Sequence, residues 1–218
     1  MNFKLVDTMS TTAKKVAEYL LQIKAIKLQP TNPFTWASGW NSPIYCDNRK
    51  TLSYPEVRDY IRDAFAKEIE EKYGDCDVIA GVATGAIAQG VLVAQALNKP
   101  FVYIRSSAKA HGLENKIEGY YEAGQKVVVI EDLVSTGGSS LQAVEALRSA
   151  GCEVLGMMAI FTYGFPVAED NFKKAECKLD TLSNYNSMVE LALETGYIKE
   201  EDVENLKEWR KAPQDWGK

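Results

Sequence analysis

The densest chemistry in the chain lies in residues 126–140, Lys-Val-Val-Val-Ile-Glu-Asp-Leu-Val-Ser-Thr-Gly-Gly-Ser-Ser. An apolar run leads into two carboxylates, Glu131 and Asp132, and after Leu133 and Val134 into five small residues, Ser135, Thr136, Gly137, Gly138 and Ser139. Glycines let backbone N–H groups approach a ligand closely, and such groups at a helix N-terminus, with hydroxyls beside them, favour a phosphate dianion. The carboxylates repel phosphate and suit sugar hydroxyls instead, or a divalent cation reached through water. A phosphate next to a diol is a ribose 5-phosphate. The plainer reading, a capped helix with solvated turn acids, suits a lone Ser-Thr-Gly-Gly; an acid pair directly at the end of a strand favours the ligand loop.

A second polar stretch, residues 105–119, carries Arg105, Lys109, His111 and Lys116, with Gly112 and Gly119 as hinges. It is too polar for core and too long for an ordinary turn, so it reads as an active-site lid. His111 is the only histidine, which excludes the HExxH zinc sites and multi-histidine metal centres. A histidine next to glycine in such a loop is equally compatible with plain surface. Other phosphate motifs fail: residues 85–90 have the glycine spacing of a nucleotide loop but continue Val-Leu without the lysine, and no GxGxxG follows a strand. No GxSxG elbow exists for a serine hydrolase.

Alternating short strands and helices must position these residues. The spacing predicts a helix over 11–27 with Ser10 or Thr11 as its cap, then short strands and turns over 32–49. Pro55 opens a helix with Val57, Ile61, Phe65 and Ile69 on one face, ending at Gly74. Strands are predicted over 78–82, 101–104, 126–130 and 154–162, with a fifth over 178–182. Helices are predicted over 87–97 and 140–150, with two C-terminal helices over 188–194 and 200–210. This is an α/β pattern, a parallel sheet flanked by helices, in which ligands bind at the carboxyl ends of the strands. Trp209 and Trp216, in a charged tail, anchor the last helix or serve an interface.

Composition bounds the rest. The chain has 218 residues, 46% of them apolar, and a formal net charge of −5, an ordinary globular mixture that argues against coating nucleic acid or an anionic membrane. Cys46, Cys76, Cys152 and Cys177 include no CxxC pair, and no apolar leader precedes them, so we expect reduced thiols and a cytoplasmic protein. Residues 78–98 carry no charge but hold Gly81, Thr84, Gln89, Gln95 and Asn98, which suits a buried strand, turn and helix better than a membrane span.

The acid pair and small-residue loop resemble the phosphoribosyl pyrophosphate (PRPP) signature of the type I phosphoribosyltransferases. Two further segments narrow the likeness. Residues 34–39, Phe-Thr-Trp-Ala-Ser-Gly, followed by 42–49, Ser-Pro-Ile-Tyr-Cys-Asp-Asn-Arg, resemble the amino-terminal hood of the orotate phosphoribosyltransferases. Residues 105–112, Arg-Ser-Ser-Ala-Lys-Ala-His-Gly, resemble their mobile catalytic loop. The resemblance, which extends to 160–163 and 182–185, implies one domain: a hood over about residues 1–54, a core sheet over about 55–182 and C-terminal helices over about 183–218. It implies transfer of phosphoribosyl from PRPP to orotate, with Arg105, Lys109 and His111 catalytic and contacting pyrophosphate. Glu131, Asp132 and the loop from Leu133 and Val134 through Ser139 would bind PRPP. Ser135, Ser38, Gly39, Tyr45 and Cys46 would bind orotate. It further implies Mg²⁺, brought with PRPP and reached through water from Glu131 and Asp132, and a homodimer sharing the catalytic loop across its interface. No nucleic acid, membrane or fused decarboxylase is expected. One branch of the family has lysine where this chain has Ala37 and Gly85; this chain resembles the branch with Ala-Ser-Gly. A purine-base phosphoribosyltransferase and a non-catalytic PRPP sensor are the alternatives. The hood argues against the first and the intact lid cations against the second.

Overall fold

The computed structural model describes residues 10–36, 39–106 and 116–216. Ten strands and seven α-helices alternate along them, and one sheet organises the whole. Helix α1 (Thr11–Gln22) starts where Ser10 accepts a hydrogen bond from the Ala13 N–H at 3.1 Å. Its end corrects the expectation of a helix to residue 27. Lys24 takes a left-handed φ of 55°, and the chain continues as strand β1 (Ile26–Leu28). Ile26 and Leu28 are buried two apart, a strand spacing that the helical reading had absorbed into its stripe.

The hood consists of two small antiparallel pairings. Strand β1 pairs with β4 (Ile44–Cys46), and β2 (Phe34–Thr35) pairs with β3 (Asn41–Ser42). A 3₁₀ helix (Asn48–Ser53) leads into α2 (Pro55–Tyr73), whose Val57, Ile61, Phe65 and Ile69 are buried as the spacing predicts.

The main sheet has six strands in the order β10-β9-β8-β5-β6-β7. They are β5 (Val78–Val82), β6 (Phe101–Ile104), β7 (Ile117–Glu118), β8 (Lys126–Val134), β9 (Glu153–Thr162) and β10 (Leu179–Asn184). All neighbours run parallel except β7, which pairs antiparallel with β6. The helices α3 (Ile87–Ala96), α4 (Gly138–Ser149), α5 (Pro166–Lys174), α6 (Tyr185–Glu194) and α7 (Glu200–Lys211) complete the fold. Alternation along β8 sorts the core into two layers. Val128 and Ile130 pack with α1, α2, α3 and α6 on one face, and Val127 and Val129 with α4 and α5 on the other. Each of these β8 side chains is fully buried, stabilising the fold by about 1.5–3 kcal/mol apiece.

Three further sequence expectations needed adjustment. Strand β8 continues past residue 130 to Val134, because Leu133 and Val134 pair with Phe161 and Thr162 of β9. The end of the predicted lid, Ile117–Glu118, is a strand, with Ile117 buried beside Ile104. Helix α5 lies in a stretch to which no element was assigned. No helix among the described residues is long and apolar enough to cross a membrane.

The hood is fixed to the core by aromatic packing. Trp209 of α7 is fully buried against Trp36, Tyr163, Phe165 and Tyr185, with ring centroids 5.3–5.7 Å away. Its indole N–H donates to the Asn41 carbonyl of β3 at 3.3 Å. Trp36 donates in turn to the Ile44 carbonyl at 3.0 Å. Trp209 thus anchors the last helix, as one of the two sequence readings has it. Trp216 donates to Asn205 Oδ1 at 2.9 Å.

Candidate active site

The carboxyl ends of β5 and β8 open on a cleft of about 290 Å³ lined by Arg49, residues 82–85, Glu131, Asp132, Leu133 and Ser139. The two acids point differently. Glu131 is 5% exposed, accepts the Ser140 hydroxyl at 2.8 Å on one oxygen, and accepts the Asp132 N–H at 2.9 Å on the other. Burial, reinforced by the adjacent Asp132 charge, pushes its pKa up to about 8. Asp132 lies against Gly85 of the β5–α3 turn, where any side chain at 85 would overlap its carboxylate. The Asp132 carbonyl accepts from Asn48 Nδ2 at 2.6 Å, and the Cys46 thiol donates to Asn48 Oδ1 at 3.1 Å. Burial pushes the Cys46 thiol well up, with the charges of Asp132 and Asp47 adding to the effect, so it remains an S–H donor. The hood is therefore wired to the acid strand through Asn48, a buried residue to which sequence reasoning gave no role.

Beyond the acids, Val134 is fully buried, so what it can offer a ligand is confined to its backbone. Its carbonyl already accepts from the Tyr163 N–H and the Thr162 hydroxyl, each at 3.2 Å. Residues 135–137 then turn into α4. Gly137 has φ 81°, and a Cβ there would lie 2.7 Å from the Phe172 ring of α5. Asn171 of α5 donates to the Thr136 carbonyl at 3.0 Å, which fixes the turn from behind. No side chain caps α4, and its first residues, Gly138 and Ser139, are exposed. That leaves first-turn N–H groups and the helix dipole aimed at the loop, an anion site facing a carboxylate cleft.

The lid's anchors sit on the other side of residues 82–83. Arg105, Ser106 and Lys116 line a small adjoining recess with Val82, Ala83 and Ser139. The Arg105 N–H donates to the Lys116 carbonyl at 2.9 Å, closing the base of the loop, and Arg105 pairs with Glu118 at 3.4 Å. Lys109 and His111 lie outside the described residues, as does Ser38. Of the other hood positions, Gly39 makes a turn at φ 83°, donating to the Trp36 carbonyl, and Tyr45 is exposed with its ring 5.7 Å from that of Phe34. The acid pair, the Ser135–Ser139 loop and the base of the lid thus converge at one end of the sheet. Arg49, which the sequence reading placed only in the hood motif, joins them in the cleft.

Comparison with known proteins places the chain in a family. A phosphoribosyl transferase domain model matches residues 51–195. Orotate phosphoribosyltransferase from Porphyromonas gingivalis is 64% identical over 209 residues, spanning 96% of this chain and 100% of its own. The chain belongs to the orotate phosphoribosyltransferases. The Listeria monocytogenes orotate phosphoribosyltransferase is 55% identical over 94% of this chain and 98% of its own. Among solved structures, orotate phosphoribosyltransferase from Aeropyrum pernix superposes with a TM-score of 0.74 at 26% identity, covering 84% of this chain and 99% of that one. Leishmania donovani UMP synthase gives 0.76 at 26%, covering 91% of this chain and 42% of the longer protein. The type I phosphoribosyltransferase fold expected from the acid-pair loop is the fold of this orotate phosphoribosyltransferase family member.

Proposed function

We propose that this protein transfers the 5-phosphoribosyl group of PRPP to orotate, giving orotidine 5′-monophosphate and pyrophosphate, in the synthesis of UMP. The observation that carries the proposal is the uncapped start of α4 facing the Asp132 cleft, in a chain that belongs to the orotate phosphoribosyltransferases. The 5-phosphate takes the N–H groups and hydroxyls of Ser135–Ser139, and Asp132 takes the ribose hydroxyls. Glu131 holds its neighbours in register through Ser140. Orotate lies under the hood, against Ser135 and the backbone of Ser38, Gly39, Tyr45 and Cys46.

The reaction forms a bond from the orotate ring nitrogen, which gives up its proton to solvent, to C1 of ribose and breaks the bond from C1 to the pyrophosphate oxygen, which leaves with both electrons. No protein nucleophile is needed. The ribosyl centre becomes cation-like while negative charge grows on the leaving group, so the useful protein groups are cations on that group. Arg105, Lys109 and His111 fill that role from the lid, and closure excludes water that would hydrolyse PRPP. Among the described residues no cluster of three or more His, Cys, Asp or Glu is placed to hold a metal. Where PRPP brings Mg²⁺ with it, Asp132 would hold the ion through water. When bound, the ion neutralises polyphosphate charge. Two subunits form the working unit, each lid serving its neighbour, in the cytoplasm. A relative from Mycobacterium tuberculosis has been solved with PRPP.

The test offers PRPP and Mg²⁺ with orotate, uracil, adenine or hypoxanthine. Loss of orotate absorbance, with no turnover of the other bases, is expected; turnover of a purine base, or none at all, rejects the proposal. Lys109→Ala should lower turnover by about 10²–10³-fold with a modest change in PRPP affinity, and unchanged turnover would remove Lys109 from the mechanism.

A further inference from the structure

We infer that Arg49, at the hood end of the cleft, is a pyrophosphate-binding residue, gripping the leaving group from the side opposite Arg105 and Lys116. The inference rests on the transferase reading above. Arg49 is the one Lys or Arg among the described residues lining the cleft that holds Asp132. Its Nε donates to Asp47 Oδ1 at 2.7 Å, which fixes the side chain while it stays 62% exposed. That pairing leaves the other N–H donors of the guanidinium fork for a ligand.

The position along the cleft selects which part of PRPP meets that fork. The start of α4 and the glycine loop form one anion end, sized for the single 5-phosphate. Across Asp132, residues 82–85 form the other wall. Ala83 and Thr84 are joined by a cis peptide, and among the described residues the Thr84 and Gly85 N–H groups make no hydrogen bond. Arg49 borders this wall on one side. Arg105 and Lys116 border Val82 and Ala83 on the other. A diphosphate at residues 82–85 would lie between cations, with free N–H groups beneath it. The hood residues expected to meet orotate, Gly39, Tyr45 and Cys46, do not line the Arg49 cleft, nor does Ser135. Arg49 therefore faces the leaving group. A cation there also offsets the repulsion that Asp132 exerts on the polyphosphate.

Calorimetric titration of the full chain with magnesium pyrophosphate, ribose 5-phosphate and orotate tests this without turnover. The transferase assay with orotate separately tests the reaction itself. Arg49→Ala should weaken pyrophosphate binding by about tenfold or more, with ribose 5-phosphate and orotate changed by less than about threefold, and Arg49→Lys should fall between. Asp47→Asn controls for a role confined to bracing the hood and should leave pyrophosphate binding intact. Unchanged pyrophosphate binding in Arg49→Ala overturns the inference. So does an equal loss in Asp47→Asn, or a loss centred on orotate or ribose 5-phosphate.

Discussion

At the scale of single residues, adjacent acids have been given different work by which way they face. Glu131 turns into the sheet–helix seam, and Asp132 turns out to the cleft. The raised pKa of Glu131 has a consequence for stability. Between its ordinary value of 4.5 and about 8, the folded protein keeps a proton that the unfolded chain has released. Its contribution is fully present below that window and is lost as pH rises through it. Glu131→Gln should therefore flatten the fall in stability between about pH 5 and about pH 8, read as urea midpoints, and an unchanged slope would mean the carboxyl is ionised in the native state. Asp132 makes the opposite demand, for room. Gly85→Ala would push a methyl into its carboxylate and should raise the KM for PRPP by about tenfold or more, with thermal stability altered far less. An unaltered KM would show that Asp132 can shift without loss.

At the scale of elements, the turn from β8 into α4 depends on one glycine for two reasons, a left-handed φ and the Phe172 ring behind it. Gly137→Ala should cost about 1–3 kcal/mol of folding stability and also weaken 5-phosphate binding, which denaturation and ribose 5-phosphate titration would report separately. Asn171→Ala, which releases only the Thr136 carbonyl, should weaken the phosphate with a smaller loss of stability. The strand-to-glycine-loop signal was readable because small residues after a buried run have few other uses. Less readable were features set by partners distant in sequence. Strand β8 overruns its predicted end because β9 pairs with Leu133 and Val134, and β1 was mistaken for helix because Ile26 also fits a helical stripe. Helix α5 carries its signals, Pro166 at its start and Lys173 and Lys174 in its last turn, but only Ala168 and Phe172 are buried, too short a stripe to stand out. Asn48 and Arg49 gave no local sign of their place in the cleft. The hood folds over the acid strand through a contact 84 residues away in sequence, from Asn48 to Asp132.

At the scale of the whole molecule, the proposed sharing of lids between subunits can be tested by mixing. Lys109→Ala and Asp132→Asn proteins, each inactive alone, should on co-refolding regain up to about a quarter of wild-type turnover, since half the dimers then contain one unaltered site. No recovery would confine each lid to its own subunit. Within one chain Trp209 ties the last helix to the hood, and Trp209→Ala should cost about 3–5 kcal/mol. The bond from Trp209 to Asn41 joins residues 168 apart, and that from Asn205 to Pro30 joins residues 175 apart. On the ribosome this order matters. The hood is made before the main sheet, yet the helix that clamps it follows every strand of that sheet, so the sheet can assemble while the roof stays open. Fastening that roof waits for α7, and a chain stalled before α7 would carry a formed phosphate loop beneath an unfastened hood.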